Sequence, residues 1–360
     1  MNQQEINEQQ MNAAMLGVPF RADDFHGMPY RYMGRSGLRV SSVGLGTWKI
    51  GDPETGDGSR VAREAALRIF DRAIELGVTH WDTANRYHNA SGNSERIIGE
   101  WFRRHPEQRR NVVVATKIYG GMDGYSPNHS GLSRGSIIDA VYASLKRLDL
   151  EYIDLLYFHG FDASVPVEES LMAIEDLVRR DLVRYFGVSN FTVDQLATYR
   201  AAQASLSGRC RVQAVQNQYN LVQGEVIEQG VLAQAVREGY AYVPWSPLAR
   251  GLLTGRYLDQ QQAAPGDRLY DEGAEVGELS PAVWQQIREL AELARQWELE
   301  LSQLVIAYMM AMPGMGPIIA AASTVGQLES NARAGTIKLT DGQRLQVKAI
   351  LERPPTGGYK

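Results

Sequence analysis

Apolar positions along the chain follow two alternating spacings. Short continuous apolar runs, typical of buried parallel strands, alternate with longer segments in which apolar residues recur at the spacing of one face of an amphipathic helix. In residues 62–77, Leu67, Phe70 and Ile74 share one helical face, and Gly77 supplies a stop signal. A strand that ends at Asp82 follows at once, so the pattern predicts a helix directly followed by a strand.

The same helical periodicity recurs in residues 136–150 and 167–180. The predicted inward-facing residues are Ile138, Val141, Leu145 and Leu148 in the first segment and Leu171, Ile174 and Leu177 in the second. Thr192 and Gln195 have the spacing of a capping box, in which each side chain bonds the backbone N–H of the other residue. A further helix is therefore expected to begin just after Thr192.

Eight segments have the composition of buried strands. They are residues 43–48, 78–82, 112–117, 153–158, 182–190, 214–218, 242–245 and 317–321. Strands that alternate with helices indicate a parallel α/β fold, and no Gly-x-Gly-x-x-Gly follows any of them. The pattern therefore favours a (β/α)8 TIM barrel over a doubly wound sheet, with a hairpin at residues 28–40 closing the barrel bottom and long loops, such as 252–278, at its C-terminal face.

Composition narrows the class of protein. The chain has 360 residues, of which 44% are hydrophobic and 22% charged, and its formal net charge is -5. These values predict a cytoplasmic globular protein with no nucleic-acid or membrane partner, because no basic patch or long apolar run is present. We expect an N-terminal extension at residues 1–27 and a single domain at 28–360. The single cysteine, Cys210, excludes an internal disulfide, and the histidines show no metal-ligand spacing, so no metal site is expected.

Three residues with acid–base chemistry end successive predicted strands. Asp82 and Lys117 end neighbouring strands, and His159 follows the next one. In TIM barrels the chemistry lies at the C-terminal ends of the strands, and parallel neighbours lie about 4.8 Å apart. Tyr87, in the loop after Asp82, is placed to fold back over Lys117. The sequence therefore predicts a proton-transfer site made of these four side chains.

The expected chemistry of this site follows from the phenol. A free tyrosine has a pKa near 10, and a buried ammonium beside it stabilises the phenolate and lowers that value. Lys117 is the expected ammonium, and the Asp82 carboxylate is expected to keep it charged. His159 is positioned to hydrogen-bond a substrate carbonyl. None of the four is a nucleophile in this arrangement, so a bound hydride donor is expected.

Several motifs together resemble the aldo-keto reductase superfamily over nearly the whole chain, in the branch similar to potassium-channel β subunits. The matching motifs are YRYMGRSGLRVSSVGLGTW, WDTANRY, ATK, SLKRLDLEYIDLLYFH, YFGVSNF, VQNQYN, WSPLARGLLTGRY and STVGQLESN. The resemblance implies a (β/α)8 barrel that binds an extended NAD(P)H and reduces aldehydes and ketones, or oxidises an alcohol or sugar. By the same resemblance Tyr87 would be the proton donor, Lys117 and Asp82 would set its pKa, and His159 would orient the carbonyl, with hydride coming from nicotinamide C4.

The resemblance also implies cofactor contacts along the barrel mouth. The matching residues are Thr47, Trp48, Ser189, Asn190, Gln216, Trp245, Ser246, Pro247, Leu248, Arg250, Arg256, Ser323, Gln327 and Asn331. Trp245 stands where a tyrosine more commonly stacks on the nicotinamide. No Arg or Lys lies between Ala320 and Asn331, although Arg256 or Arg268 could substitute in holding a 2′-phosphate. The family resemblance favours NADPH as the expected cofactor, with NADH as the alternative.

The substrate is expected to be a small neutral carbonyl compound or sugar. Trp48, Phe161 and Phe191 are candidates for the substrate pocket, with simple packing as the alternative for each. A second function remains open, namely a cofactor-binding, redox-sensing module similar to channel β subunits. A metal-dependent barrel enzyme is disfavoured, because no clustered His and carboxylate ligands occur at the predicted strand ends.

Overall fold

The fold is built on a closed barrel of parallel strands. The computed structural model describes residues 22–122, 124–206, 210–258, 263–264, 267–271 and 279–352. Strands are numbered in chain order, and the four outside the barrel, β1–β3 and β10, are described below. The barrel strands are β4 (Val43–Gly46), β5 (His80–Asp82), β6 (Val113–Ile118), β7 (Ile153–Phe158), β8 (Val183–Ser189), β9 (Val212–Asn220), β11 (Ala241–Trp245) and β12 (Ile318–Ala321). Neighbouring strands pair in parallel around the ring, and pairing of β8 with β9 closes it. The predicted (β/α)8 barrel is confirmed.

A small antiparallel sheet covers the N-terminal end of the barrel. Its strands are β1 (Asp24–Phe25), β2 (Met28–Tyr32) and β3 (Arg39–Ser41), and β3 leads directly into β4. Met33 and Val40 are fully buried and pack inside the barrel against residues such as Leu155. The predicted hairpin at the barrel bottom is therefore present, and it plugs that end. Most of the predicted N-terminal extension, residues 1–21, lies outside the described residues.

Helices form the outer layer, as the alternating pattern predicts. Those of eight or more residues are Arg63–Glu75, Asn93–Arg104, Arg134–Leu148, Val167–Arg179, Val193–Ser205, Val231–Glu238, Pro281–Gln296, Leu301–Met310, Val325–Thr336 and Asp341–Leu351. The capping box predicted at Thr192 and Gln195 is present. In the helix Arg134–Leu148, Val141, Leu145 and Leu148 are buried as predicted, but Ile137 is fully buried in place of Ile138, which is half-buried. Both residues are isoleucines, and periodicity alone does not distinguish them.

Loops at the C-terminal face carry short helical segments. A 3-10 helix at Ala249–Thr254 follows β11, a short helix occupies Arg268–Asp271, and a two-residue strand, β10 (Gly224–Glu225), pairs with the end of β9. The predicted long loop at 252–278 is described only in part. Among the described helices, none is both long and apolar enough to cross a membrane.

Candidate active site

Register between neighbouring strands brings the predicted acid and base side chains together. Asp82, at the end of β5, pairs in register with Gly46 on one side and Ala115 on the other. Lys117 lies two residues beyond Ala115 on the same face of β6, because side chains alternate along a strand. Both side chains therefore point into the upper end of the barrel.

Lys117 is the centre of a buried hydrogen-bond network. Its ammonium donates to Asp82 Oδ1 at 2.5 Å, to the Tyr87 hydroxyl at 2.8 Å and to the Thr83 carbonyl oxygen at 2.8 Å. The side chains of Lys117 and Asp82 are 1% and 3% exposed. All three donor sites of the ammonium are thus satisfied, which fixes its position beneath the phenol.

The pKa values of Lys117 and Tyr87 agree only in part with the prediction from the sequence. Burial alone would lower the pKa of Lys117, but attraction to Asp82 and Tyr87 outweighs it and raises that pKa, so the ammonium stays charged. Burial raises the pKa of Tyr87 to about 12, and the nearby Lys117 only partly offsets this. The expected net lowering of the Tyr87 pKa was therefore wrong, because desolvation of the phenolate is the larger effect. The phenol is protonated at neutral pH.

His159 follows β7, at the rim of the same site. Its ring centroid lies 6.1 Å from that of Tyr87. Its backbone is fixed at both ends, since its N–H donates to the Ile118 carbonyl and its carbonyl accepts from Asn190 Nδ2 at 2.9 Å. Burial, followed by the charge of Lys117, lowers the pKa of His159 to about 3. The imidazole is therefore neutral at physiological pH and keeps one N–H to donate.

Further hydrogen bonds, made by side chains from neighbouring strands, hold the Asp82 carboxylate in place. Gln216 Nε2 donates to Asp82 Oδ2 at 2.7 Å, and the Ser189 hydroxyl donates to the Gln216 carbonyl oxygen at 2.7 Å. Trp245 Nε1 donates to Asn190 Oδ1 at 3.2 Å. The ends of β8, β9 and β11 are therefore linked to the carboxylate at the centre of the site.

A cavity of about 620 Å³ opens above these residues. Asp82, Tyr87, Lys117 and His159 all line it. Of the predicted cofactor contacts, those that line it are Trp48, Ser189, Asn190, Gln216, Trp245, Ser246, Pro247, Leu248, Arg250, Arg256, Ser323, Gln327 and Asn331. The structure thus gathers residues from distant parts of the chain around one cavity, on top of the barrel.

Three predicted residues lie outside the cavity lining. Thr47 is fully buried, and its hydroxyl donates to the Asp82 carbonyl oxygen at 3.0 Å. Phe161 and Phe191 pack edge to face with ring centroids 5.6 Å apart, and Phe191 also contacts Tyr199. The packing alternative describes both phenylalanines, whereas Trp48 lines the cavity with its ring centroid 4.9 Å from that of Tyr87.

Features of the lining fit an extended anionic ligand. The Ser246 hydroxyl is buried and has no hydrogen-bond partner among the described residues, so the folded chain leaves a polar group for a ligand to satisfy. Lys49, Arg256 and Arg268 also line the cavity, and burial together with the neighbouring arginines lowers the pKa of Lys49 to about 8. Converging cations of this kind favour a bound anion.

Sequence reasoning missed several lining residues. Those with polar side chains are Lys49, Thr254, Glu300, Ser302 and Ser330. Ser330 follows Gln327 by one helical turn, so helical spacing from a predicted contact could have identified it. Glu300 precedes a different helix, and no local pattern links it to the site. Within the part of the chain that the structure describes, no group of three His, Cys, Asp or Glu side chains is arranged to hold a metal.

Comparison with known proteins gives consistent matches over most of the chain. The model of the Aldo/keto reductase family matches residues 42–352. A probable voltage-gated potassium channel subunit beta of Arabidopsis thaliana is 32% identical over 313 residues, which are 85% of this chain and 91% of that protein. A putative subunit of the same kind from Schizosaccharomyces pombe is 33% identical, over 91% of this chain and 94% of its own. L-glyceraldehyde 3-phosphate reductase of Escherichia coli is 31% identical, over 85% of this chain and 87% of its own.

Proposed function

Because the chain belongs to the aldo/keto reductase family and is an oxidoreductase, we propose that it reduces the carbonyl group of an aldehyde or ketone with a nicotinamide dinucleotide, or runs the reverse oxidation of an alcohol or sugar. The observation that carries this proposal is the Lys117 ammonium, which joins Asp82 and Tyr87 at the cavity floor. A protonated phenol held in this way is a positioned proton donor.

Each of the four acid–base residues has its own role in the proposed reaction. When bound, the reduced dinucleotide supplies a hydride to the carbonyl carbon. Tyr87 donates its hydroxyl proton to the carbonyl oxygen, and Lys117 stabilises the resulting phenolate through the bond it already makes to that oxygen. The neutral His159 donates an N–H to the same carbonyl oxygen and sets its orientation. Asp82 keeps Lys117 charged and fixed throughout.

Other lining residues have the chemistry to hold the dinucleotide. Ser189, Asn190 and Gln216 offer hydroxyl and amide groups for the nicotinamide carboxamide, and Trp245 offers a flat ring for stacking. The unpartnered Ser246 hydroxyl, with Arg250 and Arg256, suits the pyrophosphate. Ser323 precedes the helix Val325–Thr336, and Gln327 and Asn331 lie in its first two turns, where the adenosine would rest.

The test compares Tyr87→Phe with wild type in the oxidation of NADH and NADPH by a reactive aldehyde such as 4-nitrobenzaldehyde. Loss of a general acid typically costs about 10²–10⁴ in rate, so kcat should fall by that factor while dinucleotide binding is retained. Tyr142→Phe, which removes an exposed hydroxyl on the outer helix layer, should leave kcat unchanged. Equal kcat for Tyr87→Phe and wild type would contradict the proposed role.

The similarity to channel β subunits is consistent with a second function, that of a redox-sensing module. A redox-sensing module would bind the dinucleotide without rapid turnover. We favour turnover, because Tyr87, Lys117, Asp82 and His159 all line the cavity that would hold the cofactor. Binding of NADH or NADPH without oxidation of either by a panel of aldehydes, ketones and sugars would favour the sensing function.

A further inference from the structure

The cavity lining carries both positive and negative charges. Its cations come from the segments after β4 and β11, among them Lys49 in the first and Arg256 and Arg268 in the second. Where the lining comes from the helices Leu301–Met310 and Val325–Thr336, its side chains are hydroxyls, amides and one carboxylate, that of Glu300. None of the described lining residues from 300–331 is an Arg or Lys. The described lining residues of this segment therefore supply no cation for a phosphate group.

Glu300 is held in place on this side of the cavity. Its carboxylate Oε2 accepts hydrogen bonds from Ser330 and Ser302, and the carboxylate also caps the helix Leu301–Met310 by accepting from the Gln303 backbone N–H. A carboxylate has about four acceptor positions, so these bonds leave capacity for a ligand hydroxyl. Because Ser330 lies one turn from Gln327, the carboxylate stands beside the predicted adenosine contacts.

We infer that Glu300 selects the unphosphorylated dinucleotide, NAD(H), by accepting a hydrogen bond from the adenosine ribose and repelling a 2′-phosphate. The inference rests on the proposed function, which places the adenosine in this part of the cavity. A carboxylate that binds the ribose 2′-hydroxyl is a general means of choosing NAD, whereas a neighbouring arginine accommodates the 2′-phosphate of NADP. The inference reverses the NADPH preference expected from the family resemblance.

The cations from the other segments of the lining have a separate role in this proposal. Arg256 forms an ion pair with Asp267, and Lys49, Arg256 and Arg268 lie close enough to one another to affect the Lys49 pKa. We assign this cluster to the pyrophosphate, which NADH and NADPH share, so that it strengthens binding of both dinucleotides. If Arg256 or Arg268 held the 2′-phosphate instead, as the family resemblance allows, wild type would bind NADPH more tightly than NADH.

The first test measures equilibrium binding rather than turnover. Dissociation constants for NADH and NADPH are obtained by fluorescence titration, and those for 5′-AMP and 2′,5′-ADP by calorimetry, with wild type, Glu300→Gln and Glu329→Gln. Glu329 is the matched control, because its carboxylate lies on the same helix as Ser330 but pairs with Arg72 outside the cavity lining. Both substitutions remove one negative charge.

Wild type should bind NADH roughly tenfold more tightly than NADPH at low salt, the size expected for one like-charge repulsion near solvent. Glu300→Gln should bring the ratio close to one, mainly by tightening NADPH, whereas Glu329→Gln should keep the wild-type ratio. The two adenosine fragments should show the same pattern. Added salt should narrow the wild-type preference, because it screens the repulsion.

Two outcomes would overturn the inference in distinguishable ways. Tighter binding of NADPH than of NADH by wild type, with equal ratios in the two variants, would refute the role of Glu300 and leave the proposed function intact. Absence of binding of both dinucleotides would refute the proposed function and this inference together.

Discussion

At the scale of single residues, burial and hydrogen bonding determine the protonation states of the side chains in the candidate active site. Burial leaves Tyr87 protonated and His159 neutral at pH 7, while the bond to Asp82 keeps Lys117 charged. Each group is therefore in the state that carbonyl reduction requires before a substrate arrives. The reverse reaction requires the phenolate form of Tyr87, which the buried environment disfavours.

This asymmetry predicts different pH dependences for the two directions. With the Tyr87 pKa at about 12, the phenol stays protonated at lower pH, so kcat for reduction should be nearly constant from about pH 6 to 9. The kcat for alcohol oxidation should rise up to about tenfold per pH unit over the same range, because the phenolate fraction rises in that proportion. Log kcat is measured against pH in both directions. A fall in reduction centred near pH 7 would show that Tyr87 ionises far more readily than its burial indicates.

At the scale of elements, one buried carboxylate joins two loops beside the site. Asp57 is 7% exposed and accepts from the Asp52 N–H at 2.9 Å, the Ser59 N–H at 2.8 Å and Asn93 Nδ2 at 3.0 Å. Burial tends to raise the pKa of Asp57, but bonds led by the one from the Ser59 hydroxyl outweigh burial and hold that pKa well below its usual range. The polar segment at 51–58 is thus anchored to the turn after Tyr87.

Asp57→Asn should therefore weaken both the fold and the substrate wall. The amide keeps the shape but loses charge-assisted bonds, so we expect a loss of about 1–3 kcal/mol in the free energy of unfolding. Trp48, which packs on His88 in that turn with ring centroids 5.1 Å apart, should become less well placed, raising KM several-fold with a smaller change in kcat. Urea denaturation and steady-state kinetics measure the two effects.

Glu54→Gln is the control for this prediction, because it removes an exposed carboxylate from the same loop. It should match wild type in both measurements. Equal unfolding free energies for Asp57→Asn and wild type would show that the loop is held by other contacts.

At the scale of the whole molecule, periodicity was enough to predict the barrel, and the strand ends were enough to predict Asp82, Lys117 and His159, with Tyr87 in the loop after Asp82. A parallel strand that is buried on both faces has a continuous apolar run, and the residue ending it must lie at the barrel mouth. Glu300 was not predictable in this way, because its place in the cavity depends on how two helices pack. The direction of the Tyr87 pKa shift was predicted wrongly for a related reason. The neighbouring Lys117 can be read from sequence, but the extent of burial is a property of the folded molecule.

The buried histidine beneath the site links global stability to pH. His80 is fully buried in β5, and burial lowers its pKa to about 4, below the value of about 6.5 for an exposed histidine. The unfolded chain therefore takes up the proton first as pH falls, so stability is highest above about pH 6.5 and declines until about pH 4. Each pH unit between the unfolded and folded pKa values of His80 corresponds to about 1.4 kcal/mol in the free energy of unfolding. His80 alone should therefore lower that free energy by about 2 kcal/mol between pH 7.5 and 5.

His80→Leu should remove that part of the pH dependence. The free energy of unfolding is measured by urea denaturation at pH 7.5 and pH 5, and the difference between the two values is compared with wild type. Any packing change caused by the leucine shifts both values equally and cancels in the difference, whereas the linkage of His80 does not. His129→Leu, at an exposed position, should keep the wild-type difference. If His80→Leu also keeps it, His80 must be protonated equally in the folded and unfolded chains, and acid sensitivity must arise from other groups such as His159, whose pKa burial also lowers.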